Sequence, residues 1–239
     1  MLGLGNSLSL GGAPSEFSIL ETSPELWWKF NTGQSTSDLD SDGDADVLWV
    51  DQSGNHMDGK GGFTTSIVDA REGSFSHGAW LSADDADFLQ VGDESLALTD
   101  DYTIFVVFTN HNLEDTILGG DSDFIRFGFG NDASKIRFKH GGTTTNFTFD
   151  INPSTGKNLY TITRNEGDEM KISQNSTTAL LSPTACDSGD FAAKRGPFGS
   201  KGIDDGSVYE LVIYNRSVTA AETALIEADI LTRNSLTAD

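Results

Sequence analysis

The stretch Gly206-Ser-Val-Tyr-Glu-Leu-Val-Ile-Tyr-Asn-Arg-Ser-Val-Thr-Ala-Ala-Glu222 is the most informative segment of this chain about its fold. Its first half alternates as a β-strand does. The residues predicted on one face are Val208, Glu210, Val212 and Tyr214, and those on the other are Tyr209, Leu211 and Ile213. Both faces are largely apolar, which indicates a strand covered on both sides. Thr219 and Glu222 have the spacing of a capping box and predict a helix over 219–233.

Short apolar segments recur along the rest of the chain and are separated by turn residues. The most apolar of them, 102–109, is predicted to be a central strand. We count about a dozen strands and no alternation of strands with helices, which favours an all-β, two-sheet antiparallel jelly-roll sandwich with one C-terminal helix. The sandwich with its helix is assigned to residues 23–239. Residues 1–22 are small, polar and Gly-rich, and are predicted to form an extended N-terminal arm.

Two motifs resemble a known family. The stretch 206–222 resembles the late strand and helix start of laminin-G-like domains, which belong to the concanavalin A-like lectin/glucanase superfamily. The segment Asp51-Gln-Ser-Gly-Asn55 resembles the loop after the second strand of that family. The two motifs are far apart in the sequence and follow each other in the order expected for the family. The resemblance covers roughly residues 25–233, and it implies the same sandwich fold.

Charge and cysteine content exclude several classes of protein. The net charge is −22, so a phosphate backbone or an anionic membrane surface would be repelled. The single cysteine, Cys186, cannot form an internal disulfide. The first twelve residues contain no basic residue and no sustained apolar run, so we expect synthesis in the cytoplasm of a host without a signal peptide.

Alternating aspartates form the most distinctive polar cluster: Asp38, Asp40, Asp42, Asp44 and Asp46. Such spacing in a loop suits Ca²⁺, a hard cation that takes six to eight oxygen ligands. The twelfth position of an EF-hand loop would be Trp49, which cannot supply a carboxylate, so the segment is more similar to the calcium loops of dockerin or thrombospondin repeats. The alternative is a solvated acidic loop. Asp51 and its neighbours are interpreted as a turn rather than a second metal site.

Carboxylate pairs of the kind that glycosidases use are missing from the predicted strands. Glu210 stands alone on its strand and is interpreted as structural, so we expect a protein that is not an enzyme. Trp27 and Trp28 must point to opposite faces of their strand, which makes one of them a candidate for an exposed ring that stacks on a sugar. The alternative is that both side chains are buried in the core, where a tryptophan buries a large apolar area.

The N-terminal sequence Met1-Leu-Gly-Leu-Gly-Asn-Ser resembles the start of structural proteins of tailed phages of marine bacteria. This resemblance implies a virion protein that decorates the capsid or tail, with other virion proteins as partners and a homo-oligomer compatible with that role. The apolar residues expected to dock the arm are Leu2, Leu4, Leu8 and Leu10. The alternative to a docking arm is a mobile tail. The alternative function is a calcium-dependent carbohydrate-binding module for host-surface glycans.

Overall fold

The computed structural model describes residues 17–37, 46–61, 74–76, 79–81, 90–91, 96–99, 101–110, 115–119, 123–127, 134–140, 143–154, 156–165, 169–186, 190–193 and 207–238. In chain order, its elements are a 3-10 helix at Ile19–Thr22, strands β1 (Leu26–Trp28), β2 (Gln34–Ser37), β3 (Asp46–Trp49), β4 (Gly59–Gly61), β5 (Ser74–Ser76), β6 (Ala79–Leu81), β7 (Gln90–Val91), β8 (Leu96–Leu98), β9 (Tyr102–Asn110), β10 (Asp115–Gly119), β11 (Phe124–Phe127), β12 (Lys135–His140), β13 (Thr143–Thr148), β14 (Gly156–Asn165), β15 (Glu169–Gln174), β16 (Thr178–Ala185), β17 (Phe191–Ala193) and β18 (Ser207–Tyr214), and helix α1 (Ala220–Arg233).

The predicted two-sheet antiparallel jelly-roll sandwich is confirmed. One sheet has the strand order β16-β15-β14-β9-β18-β6-β5, with β1 also paired to β18. The second layer consists of β10-β11-β12-β13 and β2-β3-β4-β7. Strand β9 is central, as its apolar sequence predicts, and its residues from Tyr102 to Thr109 are all buried.

Aromatic and branched apolar side chains fill the space between the two layers. Phe108 on β9 meets Phe127 on β11 edge to face, with their ring centroids 5.8 Å apart. The ring centroid of Tyr160 on β14 lies 4.6 Å from that of Phe108, so the aromatic contacts join strands β9, β11 and β14. Burial of this apolar area holds the two layers together.

Helix α1 covers the outer face of the first sheet, so that face also becomes a core. Ile226 and Ile230 of the helix are fully buried against Phe105, Val107 and Val212 of the sheet. The capping box is present: Thr219 accepts a hydrogen bond from the backbone N–H of Glu222, and the Glu222 carboxylate accepts one from the backbone N–H of Thr219. Within the described residues, no helix has the length and apolar character needed to cross a bilayer.

A β-bulge in β18 corrects the predicted assignment of faces. The register with β9 runs from Val208 opposite Phe108 directly to Glu210 opposite Val107, and Tyr209 is the extra residue. Val208 therefore faces the core between the layers, whereas Tyr209 packs on the helix side. The strict alternation inferred from the sequence is wrong for these two residues, because one extra residue reverses the faces on one side of the bulge.

The predicted boundary of the N-terminal arm is also corrected. Residues 19–22 form a 3-10 helix, and Ile19 is fully buried in the core under α1. The Thr22 hydroxyl forms a 2.7 Å hydrogen bond with that of Tyr214, and the Thr22 carbonyl accepts from Arg216. The segment 17–22 is thus part of the sandwich domain, and the rest of the predicted arm lies outside the described residues.

Candidate functional site

A buried carboxylate ties helix α1 to the sheet. Glu210 is fully buried, and its Oε1 accepts from Trp27 Nε1 at 2.8 Å and from Arg233 Nη2 at 2.7 Å. Its Oε2 accepts from Asn234 Nδ2 at 2.7 Å and from Arg233 Nε at 3.2 Å. Although burial lowers the pKa of Arg233, its hydrogen bonds to Glu210 and Asp229 more than offset this and the net shift is upward. The geometry supports the structural role predicted for Glu210.

The prediction of an exposed tryptophan at 27 or 28 is wrong. Trp27 is 4% exposed and Trp28 is fully buried. Trp28 stacks on Trp49 with ring centroids 5.8 Å apart, and its Nε1 donates to the Met57 carbonyl. The two rings do point to opposite faces of β1, but α1 covers one face and the second layer covers the other, so neither ring can meet a sugar.

The segment 51–55 is a turn, in agreement with the preferred interpretation. Asp51 Oδ1 accepts from the backbone N–H groups of Trp27 and Ser53, and Oδ2 accepts from the backbone N–H of Met57. Asn55 Nδ2 donates to the carbonyls of Pro24 and Glu25. These bonds fasten the turn to the chain just ahead of β1, so Asp51 serves the structure.

Only one of the five predicted calcium ligands, Asp46, lies in the described part of the chain. Asp46 opens β3 opposite Ser37 of β2, and Asp38, Asp40, Asp42 and Asp44 lie outside the described residues. In the ranges that the structure describes, no group of three or more His, Cys, Asp or Glu side chains could hold a metal ion. The docking leucines Leu2, Leu4, Leu8 and Leu10 are likewise outside the described residues.

An open groove lies beside α1 on the outer face of the first sheet, with a volume of about 410 Å³. We call it the helix groove. It forms where the helix leaves strands β14 and β15 uncovered, so that every second residue of those strands faces outward. The lining residues are Thr161, Thr163, Asn165, Glu169, Lys171, Ser173, Ser176, Pro183, Val218, Ala220, Thr223, Ala224 and Glu227.

Polar groups of several kinds converge in the helix groove. Glu227 is only 4% exposed, and its carboxylate accepts a 2.6 Å hydrogen bond from the Thr161 hydroxyl. Lys171 lies directly opposite Thr163 in the β14–β15 register. Small residues on the helix side, Ala220 and Ala224, leave room beside these groups. The groove thus offers hydroxyls, carboxylates and an ammonium to a ligand that carries many hydrogen-bonding groups.

Sequence reasoning did not find the helix groove. The signal was present, since Thr163 and Asn165 alternate with buried residues on β14, and Glu169, Lys171 and Ser173 do so on β15. Such alternation is typical of any half-exposed hairpin, so it identifies a solvent-facing surface. That this surface is a groove depends on where α1 lies.

No family model matches the chain, and no curated protein matches it. Solved structures do match. A Trypanosoma rangeli sialidase in complex with 2,3-difluoro-KDN gives a TM-score of 0.53 at 10% identity, over 100% of this chain and 37% of that chain. The ligand-binding domain of botulinum neurotoxin serotype D in complex with N-acetylneuraminic acid gives 0.52 at 13% identity, over 89% of this chain and 53% of that chain.

The structure of the HCR/D F1240A mutant gives a TM-score of 0.53 at 14% identity, over 87% of this chain and 51% of that chain. The chain therefore spans between about a third and a half of the length of these structures. At these identities the likeness establishes the β-sandwich fold.

Proposed function

We propose that this protein is a non-enzymatic carbohydrate-binding module and that the helix groove contacts the glycan. The observation that carries the proposal is the convergence of hydroxyls, an ammonium and the buried Glu227 carboxylate in one open groove. The fold likeness to a toxin domain solved with N-acetylneuraminic acid supports this class of ligand.

The chemistry of the groove suits a saccharide better than an apolar ligand. Sugar hydroxyls both donate and accept, and they need partners of both kinds. Glu227 and Glu169 supply acceptors, Lys171 supplies donors, and the threonine hydroxyls supply either. Apolar binding pockets are instead lined by hydrophobic and aromatic side chains.

Hydrolysis is not part of the proposal. A glycosidase needs two carboxylates on opposite sides of the scissile bond, one of which must give or take a proton. Glu210 is unsuitable because Arg233, Trp27 and Asn234 occupy its oxygens inside the protein. Glu227 already accepts from Thr161, which favours a role in orienting hydroxyls.

A matched pair of threonines on α1 tests the groove. Thr223 lines the groove, whereas the exposed Thr232 hydroxyl donates to the Ala228 carbonyl of the same helix. After a glycan array identifies a bound saccharide, we expect Thr223→Val to weaken it about fivefold, the cost of one hydrogen bond. Thr232→Val should leave affinity unchanged in calorimetry. An array with no bound saccharide, or equal affinity for Thr223→Val and the wild type, would refute the proposal.

We also propose, from the motifs at 51–55 and 206–222, that the sandwich is of laminin-G type. The N-terminal sequence supports the further proposal that it serves on a virion through its N-terminal arm. Because 17–22 belongs to the domain, an arm would comprise residues 1–16. Deleting 2–16 tests docking without removing the buried Ile19. Particles that carry the truncated protein at full occupancy would exclude an arm that docks.

A calcium site at Asp38–Asp46 remains a proposal from the aspartate spacing. Five carboxylates within nine residues repel one another unless a cation lies among them. We expect Ca²⁺ to raise the melting temperature and EDTA to reverse the effect, whereas Asp40→Asn with Asp42→Asn should abolish it. A flat calorimetric titration with an unchanged melting curve would contradict the site.

A further inference from the structure

Glu227 is a buried carboxylate that no cation neutralises within the part of the chain that the structure describes. It is 4% exposed and lines the helix groove. Its Oε1 accepts the hydrogen bond from the Thr161 hydroxyl, whereas its Oε2 accepts none from the described residues. The ion pairs closest in sequence join Arg233 to Glu210 and to Asp229, and Glu227 belongs to neither. A buried charge without a partner is costly, so a cation that reaches this carboxylate stabilises it.

The second oxygen of Glu227 opens onto the groove. Although Oε2 lacks a hydrogen bond within the described residues, it is not sealed from solvent. Because Glu227 lines the helix groove, this access is by way of the groove. Attraction between charges is stronger beside a protein of low dielectric constant than in bulk water. A cationic group of a ligand that lies in the groove can therefore bind the carboxylate directly.

The other charges of the groove leave it acidic. Lys171 and Glu169 are the remaining charged residues of the lining, so two carboxylates accompany one ammonium. Thr161, which donates to Glu227, is paired with Ser173 in the β14–β15 register. Lys171 is two residues away along β15, a distance of about 7 Å. Both Lys171 and Glu169 are exposed, so the strongest attraction for a cation is at the buried carboxylate.

We propose that the helix groove selects a saccharide with a free amino group, whose ammonium binds Glu227. The inference rests on the proposed function of the groove, and it adds the class of sugar and the residue that selects it. An ammonium donates three hydrogen bonds, and one to a carboxylate is about twice as strong as one between neutral groups. Thr223 precedes Glu227 by one helical turn, so its hydroxyl lies on the same side of α1 and is available to the same sugar.

An amino sugar fits the groove better than a metal ion or a simple polyamine. Within the described ranges, no group of three or more His, Cys, Asp or Glu side chains could hold a metal ion. A polyamine would satisfy Glu227 but leave the hydroxyls of the lining without partners from the ligand. These hydroxyls belong to Thr163, Ser173, Ser176 and Thr223. A sugar supplies hydroxyls for them and an ammonium for the carboxylate.

The test is calorimetry of the full chain with three tetrasaccharides, at a pH at which sugar amines are protonated. A glucosamine tetramer carries the amines, its N-acetylated form carries neutral amides, and cellotetraose has hydroxyls in their place. We expect the glucosamine tetramer to bind at least about tenfold more tightly than the other two. Glu227→Gln should weaken its binding at least about tenfold and remove the preference. Glu169→Gln, the control at an exposed carboxylate of the same groove, should weaken it about threefold or less.

Melting curves show whether Glu227→Gln folds, and we expect it to, because the amide oxygen can still accept from Thr161. If it does not fold, the comparison of the three tetrasaccharides decides without a variant. Spermine is the control for the general attraction of cations to a net charge of −22. Spermine that binds as tightly as the glucosamine tetramer, or tetramer binding that Glu227→Gln leaves unchanged, would overturn the inference.

The same data separate this inference from the proposed function. A neutral saccharide that binds as tightly as the glucosamine tetramer, and that Thr223→Val weakens, would overturn the selection of an amine and leave the carbohydrate-binding groove standing. If no saccharide binds, on the array or in calorimetry, the proposed function fails and the inference fails with it.

Discussion

Arg233 and Glu210 form an ion pair that is largely buried. The Arg233 side chain is 18% exposed and that of Glu210 is 1% exposed. In such a place the attraction between charges is strong, but so is the cost of removing both from water. Removing one partner alone should therefore lower the stability of the protein strongly, because the other charge is then left buried and uncompensated.

We expect Arg233→Met to destabilise the protein by about 3–5 kcal/mol, because it leaves the Glu210 carboxylate buried without a counter-charge. Denaturant unfolding measures the change. Adding Glu210→Gln to Arg233→Met should recover much of the loss, since no buried charge is then left. Asp229→Asn is the control: it removes only the more exposed partner of Arg233, at a cost of about 1 kcal/mol or less. Equal losses for Arg233→Met and Asp229→Asn would contradict the account.

The start of α1 is held by groups that depend on pH. Glu222 accepts two hydrogen bonds from Arg216, at 2.8 and 3.1 Å, and further bonds from Thr219. These bonds, with Arg216 contributing most, lower the pKa of Glu222 from 4.5 to about 2. The carboxylate is thus an anchor for both the turn after β18 and the first turn of the helix.

Acid should weaken this anchor over a defined range. In the unfolded chain Glu222 regains a pKa near 4.5, so between that pH and about 2 the unfolded state binds a proton that the folded state does not. The stabilisation is fully present above pH 4.5 and is lost as pH falls through about 2. We expect Glu222→Gln to melt lower than the wild type at pH 7 and to approach it toward pH 2. A constant difference across that range would argue against the assignment.

The molecule as a whole carries far more negative than positive charge, and this bears on its stability. Repulsion among 37 acidic residues acts against the compact state, and dissolved salt screens it. We expect the melting temperature to rise between about 20 and 300 mM NaCl. Choline chloride at equal ionic strength is the control for specific cation binding. A melting temperature that does not change with either salt would contradict the prediction, because repulsion among the acidic residues would then have no measurable effect on stability.

The features that could be predicted are those whose cause is local. The capping box at Thr219 and the turn at Asp51 depend on residues a few positions apart, so the printed sequence contains their reason. The bulge at Tyr209 left no trace in the alternation of β18, because both faces of that strand are apolar. The burial of Trp27 and the existence of the helix groove depend on where α1 packs, which no short stretch specifies.

Helix α1 and the segment 17–22 pack on the same side of the sandwich, and the outward side of strands β11 and β12 is on the other. This arrangement governs how the protein meets a solid support. Immobilised through a tag joined ahead of Phe17, the molecule would stand with strands β11 and β12 directed into the flowing solution. Coupled instead through lysines of β12 such as Lys135 and Lys139, it would turn those strands toward the matrix. Orientation on a biosensor chip thus decides which of the two surfaces an analyte can reach.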